Sequence, residues 1–355
     1  MGSQEKQNVI LTDFKQEDNW SFRIALENAT KEKWTGIGLT SNYDFNGSSG
    51  GGYKSLVRYV KYFWLPFKIF IKRKRYERVL AWQQFYGLIL AFYFSIFHCK
   101  KTIDLTVMTF IYKPKKGLKG KAYDWFMKRI VCSEYVDRFI IFSSQEADYY
   151  SSVFGVPKDR FHYMKYVVAD EYEKYRDEIT TTNKYLAAGR SNRDYDFLTS
   201  VWNENDPPLE IICDVYSYKG KENIICYNDC RDEAYLKKIA QCYAVIMPFY
   251  DENISAGQMV ALHAMMLGKP VICTKSATIT DYVEPDETAL MIVKDSDELH
   301  KAMAKLSDQT FYKKMADNAR NFFVNNYRED AFAENIGEII SCETREKVNE
   351  KENEV

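Results

Sequence analysis

The sequence predicts an α/β protein made of two doubly wound, Rossmann-like domains, each built on a parallel sheet. The first observation behind this prediction is that short apolar or β-branched runs alternate with longer helical segments along the chain. Such runs suit strands buried on both faces, and the alternation favours parallel sheets with right-handed crossovers. The second is that this plan occurs twice in 355 residues, a length that exceeds one typical core and fits two domains.

Each half of the chain has its own set of predicted strands and helices. In the first half, strands are predicted at 8–12, 35–40, 78–82, 103–110 and 138–142, and helices at 19–31, 53–72, 85–98, 121–132 and 145–154. In the second half, strands are predicted at 185–189, 209–214, 223–227, 244–248, 270–274 and 289–293, and helices at 193–203, 231–241, 256–267, 296–306, 309–325 and 328–342. Residues 166–183 have no clean periodicity, which favours a linker. We therefore expect domains at 1–167 and 168–325, a C-terminal helix at 326–342 and a charged, solvated tail at 343–355.

The charge of the chain is unevenly distributed, although its net value is only −1. Residues 1–167 contain 27 Lys and Arg against 15 Asp and Glu, whereas the rest of the chain contains 22 against 35. A basic half indicates an anionic partner, which is a membrane surface, a phosphate-bearing acceptor or a nucleic acid. No basic groove motif for reading bases accompanies the charge, so we do not expect nucleic acid.

Composition also bears on the cellular compartment. The first residues, MGSQEKQNVILTDF, lack the apolar segment of a secretory signal, and the longest apolar run, 85–97, is too short to span a bilayer. The eight cysteines are scattered, and the one close pair, Cys226 and Cys230, has neither a second pair nor a histidine beside it. We therefore expect a cytoplasmic protein with reduced cysteines and no bound metal.

One candidate binding motif lies between a predicted strand and a predicted helix, in the segment AVIMPFYDENISAGQMVALHAMM. Ligands of open α/β sheets bind beyond the carboxyl ends of the strands, where a helix N-terminus offers free N–H groups and partial positive charge. Small residues let a ligand approach the backbone closely. Ser255, Ala256, Gly257 and Gln258 therefore fit a cradle for phosphate or sugar, and the alternative is a simple N-cap by Ser255.

A second motif, YLAAGRSNRDYDFL, follows another predicted strand, at residues 185–198. Its strand ends at Gly189, and Arg190 and Arg193 come directly afterwards. Arginine is the preferred side chain for bidentate contacts with phosphate. Both arginines are therefore candidates to face one anionic ligand, and the alternative is an exposed turn with solvated charges.

Together the two motifs resemble the carboxyl-terminal domain of the GT-B glycosyltransferases, in particular glycosyltransferase family 4 (group 1). GRSNRDYDFL is similar to the element that grips the donor diphosphate in that family, and LHAMMLGKPVICT fits its EAMA-x-G-x-P-V frame. The match extends over about 180–340, with DYVEPDETALMIV similar to the segment that follows. The resemblance implies two Rossmann-like domains with a cleft between them, an acceptor-side domain first, a nucleotide-sugar donor domain second, and a C-terminal helix that packs back toward the first domain.

The sequence departs from the family at two positions. The family has two glutamates eight positions apart, and Ser255 and His263 stand in their places. The resemblance implies that the first position contacts the donor sugar and the second the ribose, and histidine can still form a hydrogen bond to a ribose. The alternative is that His263 is a core histidine. By the same resemblance Asn253 lies among the donor-binding residues, and the end of the NIICYND strand contacts the base, with Tyr227 as the candidate.

The first half is expected to serve the acceptor. Residues 54–76 contain eight Lys or Arg, seven aromatic residues and no acid, which is typical of a helix at a membrane interface. The basic loop 113–121 can lie beside it, and the alternative is a packed helix with a solvated basic face. The resemblance implies that a retaining enzyme needs no catalytic base of the usual kind, because the leaving phosphate itself assists the incoming hydroxyl. For an inverting enzyme Asp13, at the end of the first strand, is the best-placed candidate base, and its alternative is a turn or N-cap aspartate.

These observations lead to one expected function. We expect a peripheral membrane glycosyltransferase that moves a sugar from a UDP- or GDP-type donor to a glycan or lipid-linked glycan, with retention and without a cofactor. Its products would serve the assembly of surface polysaccharide or glycoconjugates. Arg190 and Arg193 would neutralise the leaving diphosphate. The alternatives are a non-catalytic GT-B subunit that binds a partner glycosyltransferase, and an epimerase or phosphorylase on the same scaffold.

Overall fold

The structure is a computed structural model that describes residues 6–14, 16, 20–38, 52–252, 254–276 and 278–353, without the side chains of 52–59, 61 and 342–353. The chain divides into two compact units. The first comprises Met1–Met164 and Asp330–Val355, and the second comprises Lys165–Glu329. Each unit contains one parallel sheet of six strands, so the predicted α/β class with two doubly wound domains is confirmed.

The first unit is built on a sheet with helices between its strands. Its elements are β1 (Gln7–Thr12), α1 (Ser21–Thr30), β2 (Trp34–Gly38), α2 (Gly52–Ile71), β3 (Tyr76–Ala81), α3 (Gln84–Ile96), β4 (Asp104–Val107), α4 (Gly117–Val131), β5 (Arg138–Ile141), α5 (Ser144–Phe154) and β6 (Phe161–Tyr163). The strand order is β2-β1-β3-β4-β5-β6, and every pair is parallel. The central strands are apolar because helices cover both of their faces.

Two details of the first unit differ from the sequence-based prediction. The strand predicted at 103–110 ends at Val107, because Thr109 adopts a φ of +52°, which no strand residue does. The edge strand β6 was not predicted, since it has only three residues and a histidine at its centre. Such a short segment carries too little periodicity to be detected.

The second unit repeats the plan. Its elements are α6 (Tyr172–Tyr175), β7 (Tyr185–Ala188), α7 (Tyr195–Val201), β8 (Leu209–Ile212), β9 (Ile224–Tyr227), α8 (Asp232–Gln241), β10 (Val245–Met247), α9 (Gln258–Met266), β11 (Val271–Thr274), β12 (Ala289–Ile292), α10 (Ser296–Ser307) and α11 (Gln309–Asn326). The strand order is β12-β11-β10-β7-β8-β9. From β7 the chain adds β8 and β9 on one side and then returns to add β10 on the other, so the β7–β10 pair is the topological switch point of the sheet.

Residues 166–183, predicted as a linker, belong to the second unit. The short helix α6 buries Tyr175 in the core of that unit. The carbonyl of Thr180 accepts a hydrogen bond from the buried ammonium of Lys269, and its N–H donates to the carbonyl of Ala240. Isolated aromatic and polar contacts of this kind leave no periodic signal in the sequence.

The last helix, α12 (Glu329–Asn353), packs within the first unit. The ring of Phe332 lies 5.9 Å from that of Phe22, 6.3 Å from Phe142 and 6.5 Å from Trp82, measured between centroids. The helix extends through most of the predicted charged tail, because the segment after residue 342 is rich in Glu and Lys and lacks Pro and Gly. The predicted charged tail 343–355 is therefore helical in its backbone as far as Asn353.

We predict that Phe332→Ala lowers the free energy of unfolding by about 3–5 kcal/mol, because it leaves a cavity among three aromatic rings. Urea unfolding followed by circular dichroism measures the change. Glu334→Ala, at an exposed position of the same helix, is the matched control and should change the value by less than about 0.5 kcal/mol. Equal effects of the two substitutions would contradict the packing of this helix.

Candidate functional site

The two sequence motifs leave neighbouring strands at the switch point of the second unit. The loop 189–194 follows β7, and the loop 248–257 follows β10, which pairs directly with β7. Parallel strands present their carboxyl ends at one edge of a sheet, so both loops lie at the edge where ligands of such sheets bind. The structure therefore brings together motifs that are about 60 residues apart in the sequence.

Asn192 connects the two loops. Its φ is +57°, and its amide Nδ2 donates to the carbonyls of Asp251 (2.7 Å) and Ile254 (3.3 Å). Its Oδ1 accepts from the N–H of Asp251 at 2.9 Å. The backbone continues the connection, since the N–H of Asp194 donates to the carbonyl of Pro248 at 2.8 Å. The two motifs therefore form a single hydrogen-bonded structure.

The guanidinium of Arg193 is held at the centre of this structure. Its Nε donates to the carbonyl of Ala188 at 3.0 Å, and its Nη1 donates to that of Ser191 at 3.0 Å. The group lies over the ring of Phe249, with 5.0 Å between Cζ and the ring centroid. Burial lowers the pKa of Arg193, but an arginine side chain keeps its charge in proteins at neutral pH.

Two glycines in the left-handed region border the free end of this guanidinium. Gly189 has a φ of +112° and Gly257 a φ of +96°. A β-carbon at Gly257 would lie 3.2 Å from Nη2 of Arg193 and 2.9 Å from the ring of Phe249. One at Gly189 would lie 3.0 Å from the same Nη2. The absence of side chains thus leaves Nη2, which has no acceptor among the described residues, open to a ligand.

Helix α9 begins beside this nitrogen. Gly257 is its N-cap, and no described side chain caps its first N–H groups. The first N–H groups of a helix have no partner within it and carry partial positive charge. Ser255 is not the N-cap, because its Oγ instead accepts a hydrogen bond from Nε2 of Gln258. The alternative interpretation of Ser255 as a simple N-cap is therefore wrong, and Ala256 is buried below the turn.

Arg190 lies at the same edge but is far more exposed. Its side chain is 70% exposed, and its Nη1 lies 3.4 Å from Oδ2 of Asp214, which follows β8 by two residues. An exposed pair of this kind contributes little to stability. Arg190 is therefore free to exchange Asp214 for a more highly charged anion at little cost.

His263 lies on α9, two turns into the helix, and faces α8. Its Nδ1 is 3.4 Å from the hydroxyl of Tyr235, and the two rings meet edge to face. Burial lowers the pKa of His263 to about 4, so the ring is neutral at physiological pH. The side chain keeps partial exposure, so its surroundings are those of a half-buried hydrogen-bonding group.

The remaining predicted site residues are placed differently. The hydroxyl of Tyr227 donates to Oε1 of Glu210 at 3.2 Å, and the ammonium of Lys238 lies 3.8 Å from its ring centroid. Both the hydroxyl and one ring face of Tyr227 are thus occupied within the second unit. Asn253 lies outside the described residues. Asp13 directly follows β1 in the first unit.

Several residues that hold the site were not predicted. Besides Asn192, they are Tyr195, whose hydroxyl donates to the carbonyl of Gly189 at 2.6 Å, and Thr274, whose Oγ1 accepts from the N–H of Phe249 at 2.7 Å. Thr274 ends β11 and Phe249 follows β10, so no local pattern encodes their contact, whereas Tyr195 bonds a carbonyl only six residues earlier. Only Asn192 carries a signal, since asparagine is favoured in left-handed turns.

A cavity of about 430 Å³ borders the site on the side of β11 and β12. It is lined by Phe249, Tyr250, Asp251, Glu252, Thr274, Lys275, Val293 and Lys294. The ammonium of Lys294 donates to Asp194 and to the carbonyl of Tyr250, each at 3.0 Å. These bonds connect the start of α7 to the loop 248–257 that follows β10.

We predict that His263 makes the protein less stable in acid. A lowered pKa contributes stability that is fully present above about pH 6.5 and is lost as the pH falls toward 4, because the unfolded chain binds the proton first. The loss amounts to at most about 3 kcal/mol. His263→Gln should therefore flatten the fall in unfolding free energy between pH 7 and pH 4, measured by urea unfolding.

His300 provides the control for this measurement. Its pKa is raised, because the lowering effect of burial is outweighed by a hydrogen bond to Asp206. Stability from such a group is present below about pH 6.5 and is lost as the pH rises. His300→Gln should therefore make the unfolding free energy fall more steeply between pH 7 and pH 4. The prediction would be contradicted if the pH dependence of the unfolding free energy were the same for His263→Gln and for the parent protein.

Comparison with known proteins matches part of the second unit to a protein family. Residues 204–322 match the family model of glycosyl transferases group 1, a range that includes the α9 motif and begins after Arg193. No curated protein sequence matches the chain. No described helix has both the length and the apolar composition needed to cross a membrane.

The whole chain is similar in structure to several solved proteins. HepE of Anabaena, solved in complex with UDP, is 11% identical, with a TM-score of 0.64 and coverage of 95% of this chain and 100% of that chain. Sucrose-phosphate synthase of Thermosynechococcus elongatus is 13% identical, with a TM-score of 0.67 and coverage of 96% and 100%. WaaG, a glycosyltransferase involved in lipopolysaccharide biosynthesis, is 14% identical, with a TM-score of 0.60 and coverage of 94% and 99%. Residues 204–322 of the second unit thus match the group 1 glycosyl transferases, and the chain as a whole shares the GT-B fold of these solved proteins.

Proposed function

We propose that the protein transfers a sugar from a nucleoside diphosphate sugar, of UDP or GDP type, to a glycan or lipid-linked glycan, with retention of configuration. The observation that carries this proposal is the open Nη2 of Arg193, which lies between Gly189 and Gly257 at the N-terminus of α9. This arrangement has the charge and the backbone access that a diphosphate requires. HepE, which shares the fold, was solved with UDP and with UDP-glucose.

The positive groups would act on the leaving group. As the bond between the sugar and the diphosphate breaks, negative charge grows on the diphosphate oxygens. A half-buried guanidinium and a helix N-terminus, both held in place before the reaction, stabilise that charge without reorganisation. Arg190 would add a second cation by leaving Asp214. With retention the leaving diphosphate itself would take the proton of the acceptor hydroxyl, and Asp13 would be the candidate base for an inverting reaction.

Other residues of the second unit are proposed to contact the sugar, the ribose and the base of the donor. Ser255 and Ala256 lie in the turn before α9 and Gln258 is the first residue of that helix, where the sugar is expected. His263 is neutral and half-buried, with one ring nitrogen near Tyr235, so the other can bind a ribose hydroxyl. Asn253 and Tyr227 remain proposals for donor and base contacts, and for Tyr227 the backbone after β9 is the better candidate because its side chain is occupied.

A second candidate is a non-catalytic subunit that targets a partner glycosyltransferase. The observation that favours it is the replacement of two acidic positions by Ser255 and His263, which removes negative charge from the donor site. Purified protein without partners distinguishes the two functions. Sugar transfer or slow donor hydrolysis supports the enzyme, whereas donor binding without turnover supports the subunit.

We also propose that the first unit attaches to an anionic membrane surface through 54–76, as part of surface polysaccharide or glycoconjugate assembly. Lys68, Lys72, Lys74 and Arg75 are exposed at the end of α2 and in the turn that follows. This surface would bring a lipid-linked acceptor to the enzyme, because basic residues near an anionic surface each contribute about 1 kcal/mol to attachment.

We predict that Arg190→Ala weakens UDP binding by about 1.5–3 kcal/mol, the value of a hydrogen bond to a charged group. Isothermal titration with UDP measures the change. Arg176→Ala is the matched control, since Arg176 is an exposed arginine paired with Glu173 in the turn that precedes β7. Equal affinity of the parent and the Arg190 variant would contradict the phosphate assignment.

We predict that replacing Lys72, Arg73, Lys74 and Arg75 with Gln weakens binding to anionic vesicles by several kcal/mol at most, with about 1 kcal/mol from each residue. The effect should shrink at high salt, because salt screens exposed charges. Co-sedimentation with vesicles of increasing anionic lipid content measures it. A variant that loses Lys301, Lys305, Lys313 and Lys314, in the second unit, is the control of equal charge, and a parent protein that stays in the supernatant at low salt would refute the membrane proposal.

A further inference from the structure

Helix α2 has an apolar outer face that the first unit does not bury. Its inner face packs in the core through Leu65, Ile69 and Phe70. On its outer face, Val60 is 58% exposed, Phe63 48% and Trp64 51%. A surface helix ordinarily turns polar side chains outward, and a helix that is apolar all round belongs in an apolar environment.

This face borders a groove between α2 and α3. The groove has a volume of about 430 Å³ and is lined by Val60, Phe63, Trp64, Phe67 and Tyr93. Its one polar side-chain group, the hydroxyl of Tyr93, donates to the carbonyl of Phe63 at 3.2 Å. The groove therefore offers a ligand apolar surface and no hydrogen-bonding group in need of a partner.

The apolar surface continues toward the ends of both helices. Phe97, which follows α3 and is more than half exposed, stacks on Phe70 with 5.3 Å between centroids. Ile71, the last residue of α2, is 60% exposed. The groove thus belongs to a longer apolar strip, which suits an extended chain better than a compact ligand.

Positive charge surrounds one end of this strip. The ammonium of Lys68 lies 5.3 Å from the ring centroid of Trp64, and the guanidinium of Arg73 lies 4.8 Å from that of Phe70. Lys72, Lys74 and Arg75 follow, and residues 52–76 include no acid. A ligand that matches both features has an anionic head and a hydrocarbon chain.

We propose that the α2–α3 groove receives one hydrocarbon chain of an anionic bilayer lipid, so that α2 inserts into the interface while the basic residues bind the headgroups. The inference rests on the proposed membrane attachment and deepens it from surface attraction to insertion. Charge attraction alone uses none of the groove, whereas insertion buries Val60, Phe63 and Trp64, each of which gains free energy in proportion to the apolar area removed from water.

The test uses the full-length protein and vesicles of phosphatidylglycerol and phosphatidylcholine, with or without bromine atoms on the acyl chains. Bromine quenches tryptophan only at short range, and Trp64 is one of six tryptophans. The brominated vesicles should quench the parent protein more strongly than the Trp64→Phe variant. A parent protein that binds the vesicles without this difference would overturn the proposal, since attachment would then be electrostatic only.

A second measurement uses salt to separate the two contributions. At about 1 M salt, where the Debye length is about 3 Å, the parent should keep measurable binding. The double variant Val60→Gln and Phe63→Gln should bind at least about tenfold more weakly there, a loss of about 1.4 kcal/mol. The matched control replaces Val215 and Val324, which are exposed apolar residues of the second unit, with Gln.

These experiments test the groove proposal and the donor-site assignment independently. Equal binding of the double variant and its control at high salt would overturn the groove proposal. Because the replaced side chains are exposed, circular dichroism should show parent-like folding for every variant. UDP titration on the same preparations tests the donor site separately, so a protein that inserts without binding UDP refutes the donor assignment alone.

Discussion

Asn192 joins the two loops of the candidate site, and the position of Arg193 beside Gly257 depends on the three hydrogen bonds that its amide makes to the second loop. The two loops leave adjacent strands, but adjacency alone does not set the distance between their tips. A left-handed residue with a short amide side chain can turn the first loop and bond the second at once. The parallel pairing of β7 with β10 brings the two loops close enough for these hydrogen bonds to form.

The site concentrates positive charge that the protein itself does not neutralise. Arg193 is bonded to carbonyls and stacked on Phe249, and no described carboxylate pairs with it. The N-terminus of α9 adds partial positive charge beside it. Bringing these groups together costs electrostatic free energy, which an anion recovers on binding. The same features that cost electrostatic free energy in the protein alone therefore make this a good site for a diphosphate.

The two units use their charge in different ways. In the second unit, single cations act at defined positions, held by hydrogen bonds and by glycines without side chains. In the first unit, the basic residues at the end of α2 are exposed and adjoin apolar side chains. In the second unit the position of each cation matters, which suits a small ligand with directional contacts. In the first unit the summed charge matters, which suits an extended anionic surface.

The sequence by itself determined the α/β class, all six strands of the second unit and the residues at the ends of β7 and β10. These features depend on local periodicity and on glycine and arginine at strand ends, which a linear pattern expresses directly. Only the tertiary structure decided that Gly257 and not Ser255 begins α9, that Arg193 is held while Arg190 is exposed, and that the side chain of Tyr227 is occupied by Glu210 and Lys238. Each of these outcomes depends on the positions that the loops and side chains take on the finished sheet, because hydrogen bonds and ring contacts form only between groups that the fold brings to within a few ångström.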